Sequence, residues 1–214
     1  MGFCLVNNVA VAVRHMQAEH GVGRVAIVDY DVHHGNGTQH IFETDPNVLY
    51  VSLHQFPFYP GTGAVDEIGS GDGTGFTVNL PLEVGAVDTD YQIAFAEVVV
   101  PVLTQYKPDL LLVSAGFDAH ERDPLAGMRL TTGAFGAMTS ELAKVAQDCC
   151  QGRIVLMTEG GYDLTALAQS LESAIGALSS ASAQASWPTE SLPSTRGRTT
   201  VNLVKPVLAP FWKL

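Results

Sequence analysis

Three short runs of the chain are apolar with no polar alternation: residues 24–31 (RVAIVDYD), 109–118 (DLLLVSAGFD) and 153–163 (RIVLMTEGGYD). Each predicts a strand buried on both faces, as in a parallel sheet covered on its two sides, because a sheet with one wet face would alternate. Residues 47–54 (NVLYVSLH) predict a fourth strand. The apolar spacing turns helical over 87–107, 131–150 and 164–180. Strand and helix patterns in alternation mark an α/β domain. At the start, residues 1–17 predict a helix capped by an Asn, the apolar run being interrupted at Asn7 and Asn8. The stretch 56–76 lies between the fourth strand and TVNLPL, and its Gly and aromatic content predicts a functional loop rather than a simple connector. From about Ser179 to Arg198 the composition shifts to Ser, Ala, Pro and Thr, which predicts a mobile surface connection before 200–214 packs back.

Composition narrows this picture. With 214 residues, 46% hydrophobic and 15% charged, the chain can bury a core as one domain spanning 1–214. Eleven Lys and Arg stand against 22 Asp and Glu, a formal charge of −11, which argues against a nucleic-acid partner and suits a cationic ligand better. Cys4, Cys149 and Cys150 form neither an even disulfide framework nor a metal finger, so a reducing compartment, the cytoplasm, is expected. The first residues match neither a signal peptide nor a membrane span.

The polar chemistry gathers where the predicted strands end. Asp29, Asp31 and His33 follow the first, Ser114 to His120 another, and Glu159 to Tyr162 the last. Ligands of open α/β sheets sit beyond the carboxyl ends of the strands, so three separate segments are expected to converge on one rim. Asp31 and His33, two apart, can turn toward one point, and Asp118 supplies a third ligand. Two carboxylates and an imidazole with one open position suit catalytic zinc, one ion per chain. A cation also explains why carboxylates end a buried strand, since it pairs with charges that are costly to bury alone. The glycines of HHGNG let the backbone turn away tightly, and Gly160 and Gly161 give similar freedom to Tyr162, a phenol able to donate to a polarised carbonyl oxygen.

The stretches GFCLVNNVAVA, VDYDVHHGNGTQHIF, VSLHQFPFYPGTG, SAGFDAHERDPLAGMRLT and TEGGYDL resemble the successive motifs of the zinc-dependent histone deacetylase and acetylpolyamine amidohydrolase superfamily, its class II members above all. The resemblance implies the arginase-deacetylase fold, a mostly parallel sheet with helices on both faces. It implies zinc ligands at Asp31, His33 and Asp118, and a carbonyl-polarising Tyr162. Gly2, Phe3, Tyr59 and Pro60 match the acyl-lysine channel, and Asp29, Asp31, His33, Ser52 and Leu53 match a structural potassium site. Asn36 falls where the family orients a catalytic histidine, and His34 matches a supporting position. The implied substrates are acetylated lysine in proteins or acetylated polyamine.

Family members carry a His-His pair shortly before the GFC motif, as general base and electrostatic partner. Here Met1 directly precedes Gly2, so the pair and the family's N-terminal elements have no counterpart. An internal Met taken as a start, or a fragment of a longer gene, would produce such a chain, and impaired activity is the expectation. Two alternatives stand beside the hydrolase. A noncatalytic acyl-lysine-binding protein fits the missing base, whereas a two-manganese ureohydrolase would need an Asp where Gly35 stands.

Overall fold

Side chains along a strand point alternately to the two faces of its sheet, so a strand apolar throughout needs cover on both. The computed structural model, which describes residues 5–179, 185–189 and 194–214, provides that cover with helices. Strand β1 (Val25–Asp29) sends Val25 and Ile27 to one face and Ala26 and Val28 to the other. The first pair joins Val48 and Tyr50 of β2 (Val48–Gln55) and Leu110 and Leu112 of β4 (Leu110–Ala115) beneath Val9, Ala10 and Val13 of α1 (Asn8–His20). The second pair belongs to a larger core with Leu49, Val51, Leu111 and Val113, closed by α3 (Asp88–Ala94), α4 (Val100–Tyr106), α5 (Thr132–Cys150) and α7 (Arg196–Leu208). The short helix α2 (Asn36–Phe42) follows the first strand, and Phe42 packs in the α1 core.

TVNLPL forms β3 (Thr77–Leu82), and β5 (Ile154–Thr158) completes an all-parallel sheet of order β3-β2-β1-β4-β5. The α/β class and the parallel sheet flanked by helices are thus as the pattern predicts. Asn7 caps α1, its Oδ1 accepting from Ala10 N–H at 2.8 Å. Residues 88–106 form one helical rod in which Phe95–Val99 is a π turn.

One expectation needs correction. Among the described residues the third apolar run is not covered on both faces: β5 pairs with β4 alone, and Val155 is 46% exposed. Its neighbour α6 (Leu164–Ser179) packs on α5 and leaves Leu164 and Ile175 exposed. The connection over 179–198 is described at 185–189 and from 194 on, where the Trp187 ring meets Phe95 edge-on at 5.7 Å and α7 begins at Arg196.

Candidate metal centre and cavity

The chain leaves β1 toward one edge of the sheet and returns at β4 toward the other, so the order reverses between these neighbours. A crevice opens outside the carboxyl ends of the strands at such a switch point. Asp31 and His33 follow β1, Asp118 follows β4, and ligand atoms of all three lie within 4.8 Å of one another. His33 Nδ1 is 3.1 Å from both Asp31 Oδ1 and Asp118 Oδ2.

The backbone aims these groups. Asp118 Oδ1 accepts from Val32 N–H at 2.9 Å, and Asp31 Oδ1 and Oδ2 accept from the N–H of His33 and Gly160 at 2.8 and 3.0 Å. Gly160 is required by space, because a Cβ there would collide with the Asp118 and Asp31 carboxylates. Gly116, just after β4, is required likewise by the backbone and side chain of Asp31.

Burial, with the Asp31 charge adding to it, pushes the Asp118 carboxyl up to about 6 against the His33 bond. Burial pulls the His33 imidazole down, but its bonds to Asp118 and Asp31 and their charges outweigh this and raise it to about 10. Asp118 is fully buried, and its partners within bonding reach are the Val32 N–H and the His33 ring. One imidazole and two carboxylates held together in this way can hold a divalent cation, and the mixed oxygen and nitrogen set fits zinc.

A cavity of about 640 Å³ opens beside the three residues, lined by Asp31 and His33, with Asp118 buried behind. Tyr162 and Gly160 line it from the β5 side, Tyr59 and Pro60 from the long loop, and Asp29, His34, Ser114 and Glu159 line it as well. Gly161 has φ 145°, a value that favours glycine. Phe58 stacks on the His33 ring at 5.3 Å, and Tyr59 meets it edge-on at 6.4 Å. His34 has both ring nitrogens engaged, Nδ1 with Thr62 Oγ1 at 2.7 Å and Nε2 with Gln39 Oε1 at 2.9 Å.

Asp29 is buried and pairs across the sheet with Ser52. Its carboxylate accepts from Asp31 N–H at 3.1 Å and Tyr50 O–H at 2.9 Å, both uncharged, and burial and the Asp31 charge hold its carboxyl well above the usual range. Ser52 Oγ lies 2.9 Å from His54 Nδ1, and the Leu53 side chain belongs to the core, which leaves its backbone alone for any ligand role. Asn36 Oδ1 is buried with no hydrogen-bond partner among the described residues. Gly2 and Phe3, expected at the channel, lie outside the described residues.

Sequence reasoning assigned no part to Phe58 or Asp123, and placed Glu159 on the converging rim without a role. Glu159, which lines the cavity, accepts from Ser114 Oγ at 3.2 Å, and Asp123 Oδ2 accepts from the Tyr162 N–H at 2.8 Å. The Asp-Pro pair at 123–124 signals a turn. Nothing local points to a partner 39 residues away.

Comparison with known proteins agrees with this geometry. Residues 1–178 match the histone deacetylase domain. The chain is 49% identical over 171 residues to histone deacetylase 10, chloroplastic, of Oryza sativa subsp. japonica, covering 80% of this chain and 39% of that protein. It is 44% identical over 216 residues to histone deacetylase 15 of Arabidopsis thaliana, covering 99% and 38%. The crystal structure of the HDA15 HD domain superposes with TM-score 0.88 at 44% identity, over 99% of this chain and 57% of that one. The histone deacetylase Clr3 gives 0.85 at 37%, over 98% and 36%. The chain therefore spans about two fifths of the length of these two plant relatives. No helix among the described residues is long and apolar enough to cross a membrane. The match over residues 1–178, with these relatives and structures, establishes that the chain belongs to the histone deacetylase family.

Proposed function

We propose that the chain carries the metal-holding and carbonyl-polarising part of a zinc-dependent deacetylase site, acting on the acetyl amide of a lysine side chain in a protein or of an acetylated polyamine. The observation that carries this reading is the convergence of Asp31, His33 and Asp118, two of which line a cavity that Tyr162 also lines. These three residues would hold zinc, which when bound supplies Lewis acidity to the amide carbonyl and to water. In the hydrolysis, water adds to the carbonyl carbon, the C–N bond breaks, and acetate and a protonated amine leave.

The Tyr162 phenol donates to the developing oxyanion. Phe58 and Tyr59 flank the approach to His33 and favour an apolar lysine stem. Asp29, with Asp31, His33, Ser52 and the Leu53 backbone, would hold potassium, and the buried Asp29 carboxylate with its uncharged partners supports a cation there. His34 is a support, since both its ring nitrogens are engaged. The base that takes the water's proton belongs to the family's His-His pair, and the partnerless Asn36 Oδ1 is suited to accept from such a histidine. Without that pair turnover is impaired, by about 10²- to 10⁴-fold for the loss of general-base catalysis.

Elemental analysis after dialysis should find one zinc per chain, lost on Asp31→Ala, His33→Ala or Asp118→Ala. Two ions per chain would overturn the reading. Acetyl-lysine release is then compared between this chain and one extended upstream with a His-His pair. In the active form, Tyr162→Phe should cut turnover about 10²-fold with zinc content unchanged. Zinc binding with no turnover by the extended chain would favour the noncatalytic acyl-lysine-binding alternative.

A further inference from the structure

Tyr162 follows β5 and directly follows Gly160 and Gly161, residue types whose backbones have the widest intrinsic freedom. A phenol that must meet an oxyanion within a few tenths of an ångström needs its backbone held from outside this segment.

We propose that Asp123 is the positioning residue that holds it. Asp123 is 8% exposed, and its two carboxylate oxygens face two different backbone N–H groups: Oδ1 accepts from Leu125 at 2.9 Å and Oδ2 from Tyr162 at 2.8 Å. Leu125 and Tyr162 both line the cavity, so one carboxylate ties two rim residues contributed by segments distant in sequence. Asp123 is itself fixed, its N–H donating to His120 O at 2.9 Å. A second tie joins the same two segments one residue further along, between Arg122 and Asp163 at 3.2 Å, but it is half exposed and correspondingly weak. The Asp123 bonds are shielded and charge-assisted, and therefore the stronger of the two.

The chemistry explains why the residue is an acid. A carboxylate only accepts, and both N–H groups need an acceptor. An Asn of the same shape would satisfy one and turn its NH₂ against the other. The assignment rests on the deacetylase reading only for what the Tyr162 phenol does once it is placed.

Residue-resolved amide exchange and the NMR signal of the Tyr162 ring, identified by its loss in Tyr162→Phe, test this in the zinc-loaded chain. The wild-type Tyr162 and Leu125 amides should be protected and the ring signal single and displaced from that of free tyrosine. Asp123→Ala should speed exchange at those two amides about 10- to 100-fold and collapse the ring signal toward the free value, with zinc content and exchange in β1 and β4 unchanged. Asp123→Asn should restore part of both. Should Asp123→Ala fail to fold, the wild type and Asp123→Asn decide. A wild-type Tyr162 amide exchanging as an open one, or an Asp123→Asn chain indistinguishable from wild type, overturns the assignment. A chain that binds no zinc but keeps the Tyr162 amide protected through Asp123 overturns the deacetylase reading and leaves the clamp standing.

Discussion

Strands β3 and β5 are the two edges of one parallel sheet, and they differ in nearly everything except their apolar sequence. Strand β3 is buried along almost its whole length, while β5 is half-open. The difference lies in what the other described residues lay over them. Helix α7 rests on β3, Thr200 Oγ1 donating to Pro81 O at 2.8 Å, and Trp212 donates its ring N–H to Gly75 O at 2.8 Å just before the strand begins. Pro81 has no N–H to offer, which suits the unpaired side of an edge. On β5, Val155 is left 46% exposed, with neither charge nor proline in the strand to guard the edge. Asp31, His33 and Asp118, the residues proposed to hold the metal, follow the central strands β1 and β4, whereas Tyr162 follows β5. The site thus joins a rigid half to one that depends on ties such as Asp123.

The largest effect is expected where the cover is best. Trp212 is 9% exposed and meets Phe76 edge-on at 5.9 Å, so Trp212→Ala opens a cavity and uncovers the β3 edge together. It should cost about 3–5 kcal/mol, the range for a buried aromatic truncated to alanine, read as a lower urea midpoint with an unchanged slope. A loss under about 1 kcal/mol, the size of an ordinary surface change, would mean that the C-terminal segment is not what closes this edge.

The covered half should also carry an acid sensitivity. His54, on β2, is fully buried, and desolvation, with the neighbouring His34 adding to it, pulls its imidazole down to about 3. Its ring donates or accepts within a closed set, Nδ1 with Ser52 Oγ and Nε2 with Gly63 O, each at 2.9 Å. Because the folded state resists a proton that the unfolded chain accepts near 6.5, the unfolded state binds more protons between these values. Stability is therefore complete above about 6.5 and falls as the pH drops toward 3. His54→Gln, which can still donate to Gly63 O, should flatten that slope and remove roughly 2–4 kcal/mol of pH dependence. Thermal melts of both proteins between these limits measure it, and parallel curves would refute the buried neutral imidazole.

The strands and the nearness of Asp31 to His33 were legible because both are written locally. An unbroken apolar run states that both faces need cover, and Asp31 and His33, two apart after such a run, must lie near each other. What could not be read is whether the cover arrives. The β5 run is as apolar as that of β4, yet its environment depends on segments far along the chain. Asp123 was missed for the same reason, since its bond to Tyr162 spans 39 residues and leaves only a turn signature behind. Trp187 was read as part of a polar connection because single aromatics carry no periodicity, although its ring packs on Phe95.

The smallest expected effect on stability falls on the open edge, and it separates the two edges most cleanly. Val155 points out from β5 with nothing paired beyond it among the described residues, so Val155→Lys removes little buried area and leaves the strand's pairing with β4 intact. Its cost should stay within about 0.5 kcal/mol, the usual bound for a surface change. The consequence lies in association instead. An unguarded apolar edge offers free N–H and C=O groups to another copy, and a lysine there blocks such pairing by charge and by its hydrated head. In sedimentation at rising protein concentration, wild type should show growing self-association and Val155→Lys a clearly smaller amount at equal melting temperature. A Val155→Lys chain destabilised as severely as Trp212→Ala would show that β5 is covered in solution, and the contrast between the two edges would then disappear.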